Sequence, residues 1–425
     1  MTAPPRLPRE PGAGEIARRI RRRETSVVAV VEDHLARLAS ARDAIGGVAW
    51  SDDDAVLAAA HASDRALAGN GTTIGPLHGV PITVKDWIDV AGFPCAGESA
   101  RHRDRRPTED ATVVARLRAA GAIVIAKTAA GDHSDIYGIT RNPHDPARSP
   151  GASSSGEGAL VGAGASPLGI GSDSGGSVRL PAAWCGIAGL KPTAGRVPNT
   201  GHFPRVGTLH DGRTQIGPLG RGVEDLALAL DVIAGCDGLD PGVVDVPLGS
   251  VAEIDISRLR IASFTHDGPG QPTTAVALEV ERAVDALTNA GATVVETAVP
   301  AHLDEAFDIT QRYWRRRELS GTEADDLLWD WDRFRRRQMV FASTVDLVVC
   351  PVTSDVASFV SPRASDYVFM LPASLTGAPA ATVPTAFDGP LPIAIQLVGR
   401  RWEDATVLAA ARAVEQAVDD RNVPS

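Results

Sequence analysis

Apolar positions follow two rhythms along this chain, one of amphipathic helices and one of short, continuously apolar strands. Val27, Val31, Leu35 and Leu38 recur at helical spacing behind Ser26, a fitting N-cap, so the first ~70 residues are expected to be helical. A second helix is expected over Asp53–Ala68, with Asp52–Asp54 at its positive end and Gly69-Asn-Gly breaking it. From Gly75 the rhythm changes. Gly79-Val-Pro-Ile-Thr-Val-Lys85 reads as a short buried strand that closes on a lysine. Thr112–Ala120 predicts a helix with Gly121 as its C-terminal cap, and Ala122-Ile-Val-Ile-Ala-Lys127 another buried strand. The pattern recurs as a strand over Leu259–Phe264, a helix over Ala275–Ala290 and a strand over Ala292–Val295. Leu347–Cys350 is a further strand, and the last helix is expected from Glu403 to about Val418. Helix and apolar strand in alternation imply an α/β sheet covered on both faces. No repeat period and no linker-like break in composition divides the chain, so one domain is the simplest organisation.

Composition narrows the function classes. With 44% hydrophobic and 22% charged residues, the 425-residue chain is that of an ordinary globular protein. Its longest apolar stretches, such as Ala55–Ala60 and Ala122–Ala126, fall far short of the roughly 18–20 residues that span a bilayer, so no membrane partner is expected. The opening Met1-Thr-Ala-Pro-Pro-Arg lacks the apolar core of a secretory signal. Cys95, Cys185, Cys236 and Cys350 are scattered without a C-x-x-C pair, which points to free thiols in a reducing cytoplasm. A net charge of −11 argues against a nucleic-acid partner, which needs a basic face. The arginine runs at 312–317 and 333–337 flank Glu318, Glu323, Asp325, Asp326, Asp330 and Asp332, so ion pairs on helix surfaces account for them.

The most unusual stretch is Ser149–Thr193, with 11 glycines and 8 serines. A flexible linker has such glycine and serine content, but not the Leu160, Val161, Leu168, Ile170, Val178, Leu180, Trp184, Ile187 and Leu190 interleaved here. Glycines among apolar residues mark backbone that approaches something closely. Gly169-Ile-Gly171 is not a dinucleotide fingerprint, because Ser174 stands where the third glycine belongs. Gly186–Lys191 lacks the adjacent Gly-Lys of a phosphate loop, and no Gly-x-Ser-x-Gly elbow surrounds Ser153 or Ser177. No His-x-x-x-His or carboxylate cluster has metal-ligand spacing, so neither metal nor cofactor is expected.

This segment closely resembles the amidase signature, the core shared by bacterial amidases, fatty acid amide hydrolases and the amidase subunit of tRNA amidotransferases. The matching residues are Ser149-Pro-Gly, Ser153-Ser154, Gly156, Gly171-Ser-Asp-Ser-Gly-Gly-Ser177, Arg179, Pro181, Cys185-Gly186 and Gly189-Leu-Lys-Pro-Thr193. Outside it, Pro76–Pro81 leading to Lys85-Asp86, Ala119–Thr128, Arg141-Asn-Pro143, Gly217-Pro218 and the runs from Leu375 to Gly399 fit the same family. The resemblance implies a single amidase-signature domain over 1–425, with a central mixed, twisted sheet under helices on both faces. Within it, 1–70 is a helical segment, 75–260 the catalytic core, 265–346 a variable substrate-pocket region and 347–425 the C-terminal part of the core.

Carried over position by position, the resemblance makes Ser177 the nucleophile, Ser153 the proton relay and Lys85 the base. A serine hydroxyl needs a proton acceptor, and no histidine lies within the glycine-rich segment. Lysine serves only when neutral, and burial in the apolar strand Val80–Val84 would lower its pKa. Backbone amides of Ser174, Gly175, Gly176 and Ser177 map onto the family's oxyanion hole, each such donor being worth about 3–4 kcal/mol. The family also holds its relay serine behind a cis peptide; here Ala152 and Ser155 stand at positions that are commonly glycine. Ser154, Asp173 and Arg179 are expected to support the loop by hydrogen bonds, and Cys185 to be a packed thiol.

Tyr137, Trp314 and Trp329 are candidates for the substrate pocket, in a chain whose aromatics concentrate around Tyr313, Trp314, Trp329, Trp331 and Phe334. The expected function is therefore a stand-alone amidase cleaving a carboxylic amide C–N bond through an acyl-enzyme. Apolar or aryl amides are its expected substrates, with aryl esters, anilides and carbamates open to the same chemistry. The partners are then a small amide and water, with a homodimer open to it as an assembly. The alternatives are the glutamine amidase subunit of a tRNA amidotransferase and a non-catalytic binding protein on the same fold; three intact catalytic positions argue against the last.

Overall fold

The structure, a computed structural model, describes residues 10–69, 74–207, 211–265, 270–359 and 361–421. Met1–Arg6 of the opening and Asn70-Gly71 of the anticipated helix break lie outside them. The chain starts with α1 (Ala13–Arg21) and α2 (Val27–Ile45), the latter capped by Ser26 Oγ, which accepts from Ala29 N at 3.0 Å. After β1 (Val48–Trp50), Asp52 caps α3 (Asp53–Ala68) in the same way at 3.1 Å. Next come β2 (Pro81–Lys85), α4 (Thr112–Ala119) and β3 (Ile123–Thr128). Gly121 follows α4 with φ +95°, and a Cβ there would stand 2.7 Å from His78 Cα. Only glycine fits.

A small hairpin of β4 (His133–Ser134) and β5 (Gly138–Ile139) stands apart from the main sheet. The glycine-rich segment is no linker: it folds into α5 (Ser155–Gly162), β6 (Leu168–Asp173), α6 (Arg179–Trp184) and β7 (Ala188–Lys191). Then come β8 (Gln215–Gly220), α7 (Val223–Ile233), β9 (Arg260–Ser263), α8 (Thr274–Asn289) and β10 (Thr293–Val294). The remainder is α9 (Leu303–Trp314), α10 (Gly321–Ala342), β11 (Leu347–Pro351), α11 (Leu371–Thr376), β12 (Ala380–Asp388), β13 (Leu391–Gly399) and α12 (Asp404–Arg421).

Among the described residues eleven strands form one mixed sheet, in the order β1-β3-β2-β6-β8-β7-β12-β13-β11-β9-β10. Helices α7 and α8 each pack on α12, α5 packs on α6, and all five lie against strands of the sheet. Ile82, Val84, Ile125, Ile170, Leu190, Ile216, Val383, Ile395 and Leu397 fill the sheet's core, each worth about 1.5–3 kcal/mol when fully buried. Among the described residues no helix is long and apolar enough to cross a membrane.

Strands β2 and β6 are parallel neighbours, with Thr83 opposite Gly169 and Val84 opposite Ile170. Their carboxyl ends, Lys85 and Asp173, therefore emerge side by side, and loops beyond such an edge are where α/β sheets commonly bind ligands.

Candidate active site

Lys85 ends a strand in which every side chain from Pro81 onward is buried, and its own exposure is 0%. Its Nζ donates to Ser153 Oγ at 2.7 Å and to Ser172 Oγ at 3.2 Å, and lies 4.1 Å from the centre of the Trp87 ring. Desolvation pulls the ammonium down to about 7, against the attraction of Glu98, Asp173, Glu157 and Asp86. Glu157 is itself buried, holds hydrogen bonds from Thr83 Oγ1 at 2.5 Å and Thr128 Oγ1 at 2.9 Å, and is raised by burial to about 7.

Ser172 and His202 complete this network, and neither was singled out from the sequence. His202 Nδ1 faces the carbonyl of Pro204 at 2.8 Å, so it is the donor there and Nε2 is left as an acceptor. Ser172 Oγ, 3.1 Å from that Nε2, accordingly donates to His202 and accepts from Lys85. Burial pushes His202 down to about 4, which keeps the ring neutral. With Ser172 locked as acceptor, a neutral Lys85 directs its lone pair at the Ser153 hydroxyl.

The loop after β6 holds Ser177, half-buried like Ser153 and Ser174. Among the described residues Ser177 Oγ makes no hydrogen bond, so the contact from Lys85 to Ser153 is formed and one from Ser153 to Ser177 is not. Both serines line the same cavity of about 570 Å³, which Ser174, Gly175, Trp87, Tyr367 and Trp314 also line. The Gly176 N–H donates to Asp173 Oδ1 at 2.8 Å, which takes it out of the expected oxyanion set. Among the described residues the N–H groups of Ser174, Gly175 and Ser177 have no protein acceptor. The cis bond expected before Ser153 is absent: among the described residues the cis peptide is Phe203–Pro204. Trans is the default, a non-proline cis bond costing about 2.5–4 kcal/mol.

Asp173 braces the loop. It accepts from Gly176 N, from Val178 N at 3.1 Å and from Arg179 Nε and Nη2, both at 3.0 Å. Burial alone would raise this carboxyl, but the Arg179 guanidinium outweighs it and holds it at about 2. Arg179, also 0% exposed, reaches Met370 O, Gln396 Oε1 and Ser374 Oγ and so ties the loop to α11 and β13. Ser154 Oγ donates to Ser172 O at 3.3 Å, and Cys185 is a buried thiol facing Pro150 O. Arg179→Met strands a buried carboxylate, and urea unfolding is expected to show a loss of about 3–5 kcal/mol.

Of the aromatic candidates only Trp314 lines the cavity. Tyr137 instead donates its hydroxyl to Asp86 Oδ1 at 3.1 Å, because a buried carboxylate draws the polar end of the ring; it braces the turn that carries Trp87. Trp329 is 62% exposed on the outer face of α10. Leu327, Trp331 and Phe334, at helical spacing, form the inward stripe, and Trp329 falls off it. Among the described residues no three His, Cys, Asp or Glu side chains gather as a metal site.

Over residues 29–326 the sequence matches the family described as Amidase. The chain belongs to the amidase family. It is 33% identical to the glutamyl-tRNA(Gln) amidotransferase A-subunit of Symbiobacterium thermophilum, over 92% of this chain and 94% of that one. Peptide amidase from Stenotrophomonas maltophilia shares its fold at a TM-score of 0.80 and 26% identity, over 97% and 98% of the two chains. Fatty acid amide hydrolase has the same fold at a TM-score of 0.86 and 23% identity, over 96% of this chain and 85% of that one. As an amidase-family enzyme the chain is a hydrolase of amide C–N bonds. Sequence identity sides with the amidotransferase alternative rather than with the stand-alone reading.

Proposed function

We propose that this amidase forms an acyl-enzyme on Ser177, with Lys85 as base and Ser153 as the relay between them. The observation that carries the reading is a fully buried lysine, lowered to about 7, 2.7 Å from a serine that shares a cavity with Ser177. About half of such a lysine is neutral at pH 7. Neutral Lys85 takes the proton of Ser153, which takes that of Ser177 as Ser177 Oγ attacks the carbonyl carbon. The negative charge passes to the carbonyl oxygen, within reach of the free N–H groups of Ser174, Gly175 and Ser177. The proton returns through Ser153 to the departing amine, and water repeats the sequence on the acyl-enzyme.

We further propose that the lone chain or its homodimer turns over aryl or apolar amides. Trp87, Trp314 and Tyr367 around the serines supply the apolar walls, and four free cysteines suit a reducing cytoplasm. The second reading, a glutamine-hydrolysing component of a tRNA amidotransferase, is favoured by the 33% identity to the Symbiobacterium protein. Steady-state assays of the purified chain with acetanilide, 4-nitrophenyl acetate and glutamine separate them. Anilide turnover without glutaminase activity supports the stand-alone reading; glutamine hydrolysis that needs added partner proteins supports the other. Trp314→Ala should raise KM for aryl amides about tenfold, whereas Trp329→Ala should leave it within about twofold.

A further inference from the structure

Among the described residues three arginines, Arg179, Arg196 and Arg213, are no more than 2% exposed. Arg179 is paired with Asp173, and Arg196 with Asp404 at 2.6 Å. Arg213 is different: its Nε, Nη1 and Nη2 are buried and none has a hydrogen-bond partner among the described residues. Its neighbour is the ring of Tyr313, 4.8 Å from the guanidinium carbon. Asp211, a carboxylate that acts on it electrostatically, is already committed. It takes hydrogen bonds from Thr214 Oγ1 at 2.6 Å, Tyr313 OH at 2.7 Å and the N–H groups of Arg213 and Thr214, both at 3.0 Å. A guanidinium stays charged even here, burial lowering it only to about 10. A buried cation with an empty fork of donors is costly unless something completes it.

Its position says what. A Cβ on Gly175 would lie 3.6 Å from Arg213 Nη2 and 3.1 Å from Trp314 Cζ2, so both side chains pack directly against this glycine. Gly175, Trp314, Asp211 and Thr214 all line the catalytic cavity. The guanidinium, itself 0% exposed, thus stands behind Gly175 and Trp314 in the wall of that cavity, beside an amide proposed to hold the carbonyl oxygen, and a carboxylate on the acyl half of a substrate meets it once the 44% exposed Trp314 swings aside. We propose that Arg213 is a specificity residue that binds a carboxylate carried by the acyl part of the amide. Two parallel N–H···O bonds match a planar carboxylate to the empty fork. This rests on the acyl-enzyme reading for its placement of the acyl group, and it narrows the substrate class to amides of dicarboxylic acids.

The test compares succinanilate and glutaranilate with neutral butyranilide. In the wild-type enzyme at least one anionic anilide should exceed butyranilide in kcat/KM by about 30-fold, carried in KM. In Arg213→Met that ratio should fall to about one, and Arg213→Lys, a point charge without the fork, should restore part of it. Thermal unfolding of Arg213→Met should match or exceed the wild type, since an unpaired buried charge has gone. Calorimetric titration of Ser177→Ala with succinanilate reads binding without turnover. Arg213-dependent binding with no hydrolysis by the wild type would support the carboxylate site and sink the acyl-enzyme reading. Equal kcat/KM for all three anilides, or an Arg213→Met that weakens them equally, overturns the inference while leaving the hydrolase intact.

Discussion

Replacing Lys85 with methionine will make the protein harder to unfold and nearly inert. The native ammonium is fully buried, and desolvation drops it from 10.5 to about 7. Below pH 7 both folded and unfolded chains are protonated at this lysine, and the folded state bears the whole cost of burying the charge. Between pH 7 and about 10.5 the unfolded chain holds a proton that the folded one has released, so stability rises with pH and the cost disappears above that window. A shift of some three pKa units corresponds to about 4–5 kcal/mol. Losing the bonds to Ser153 and Ser172 and the contact with Trp87 offsets part of this. A net gain of about 2 kcal/mol at pH 6 is expected, read from urea midpoints. Below that window wild-type kcat/KM should climb about tenfold per pH unit up to about 7 and then level, while the variant loses about 10²–10⁴ in kcat. A flat wild-type profile from pH 6 to 8, or a variant destabilised at pH 6, means that Lys85 is not the base.

The parts of this site written in short, contiguous motifs were legible in the sequence. Ser153, Ser177 and the Asp173–Arg179 brace fall within one stretch, and Lys85 is picked out by its place in the motif that resembles the family's lysine strand, the apolar run before it supplying only the burial. Helix bounds were equally plain where a cap and a periodic face coincide, as at Asp52 before α3. Long-range hydrogen bonding left no such mark. His202 meets Ser172 across 30 residues through tertiary folding, in a Gly-His-Phe-Pro turn with no chemical signature of its own. Arg213 follows an Asp-Gly pair and reads as a surface turn; only burial exposes its empty donors. The β12–β13 hairpin was visible as motifs but not as strands, since proline at 384 and 392 interrupts its apolar alternation. Trp329 misled because composition counts aromatics without assigning them to a face.

Ser177→Ala should abolish turnover, by about 10⁴-fold or more in kcat, while leaving stability almost untouched. The side chain is half-buried and its oxygen makes no hydrogen bond among the described residues, so its loss strands no partner and should cost within about 0.5 kcal/mol. Ser153→Ala is a different experiment. It removes the acceptor 2.7 Å from Lys85, yet the cavity of about 570 Å³ has room for a water beside Ser172 and Ser174 to carry the proton in its place. That variant should retain more activity, losing about 10²–10³ in kcat. A fluorophosphonate probe distinguishes the roles independently of substrate choice. Digestion and mass spectrometry should find the adduct on Ser177 in the wild type, on no serine in Ser177→Ala, and more slowly formed in Ser153→Ala and Lys85→Met. An adduct on Ser153, or a Ser177→Ala that outperforms Ser153→Ala, would make the residue nearer the lysine the nucleophile and reverse the direction in which the proton moves.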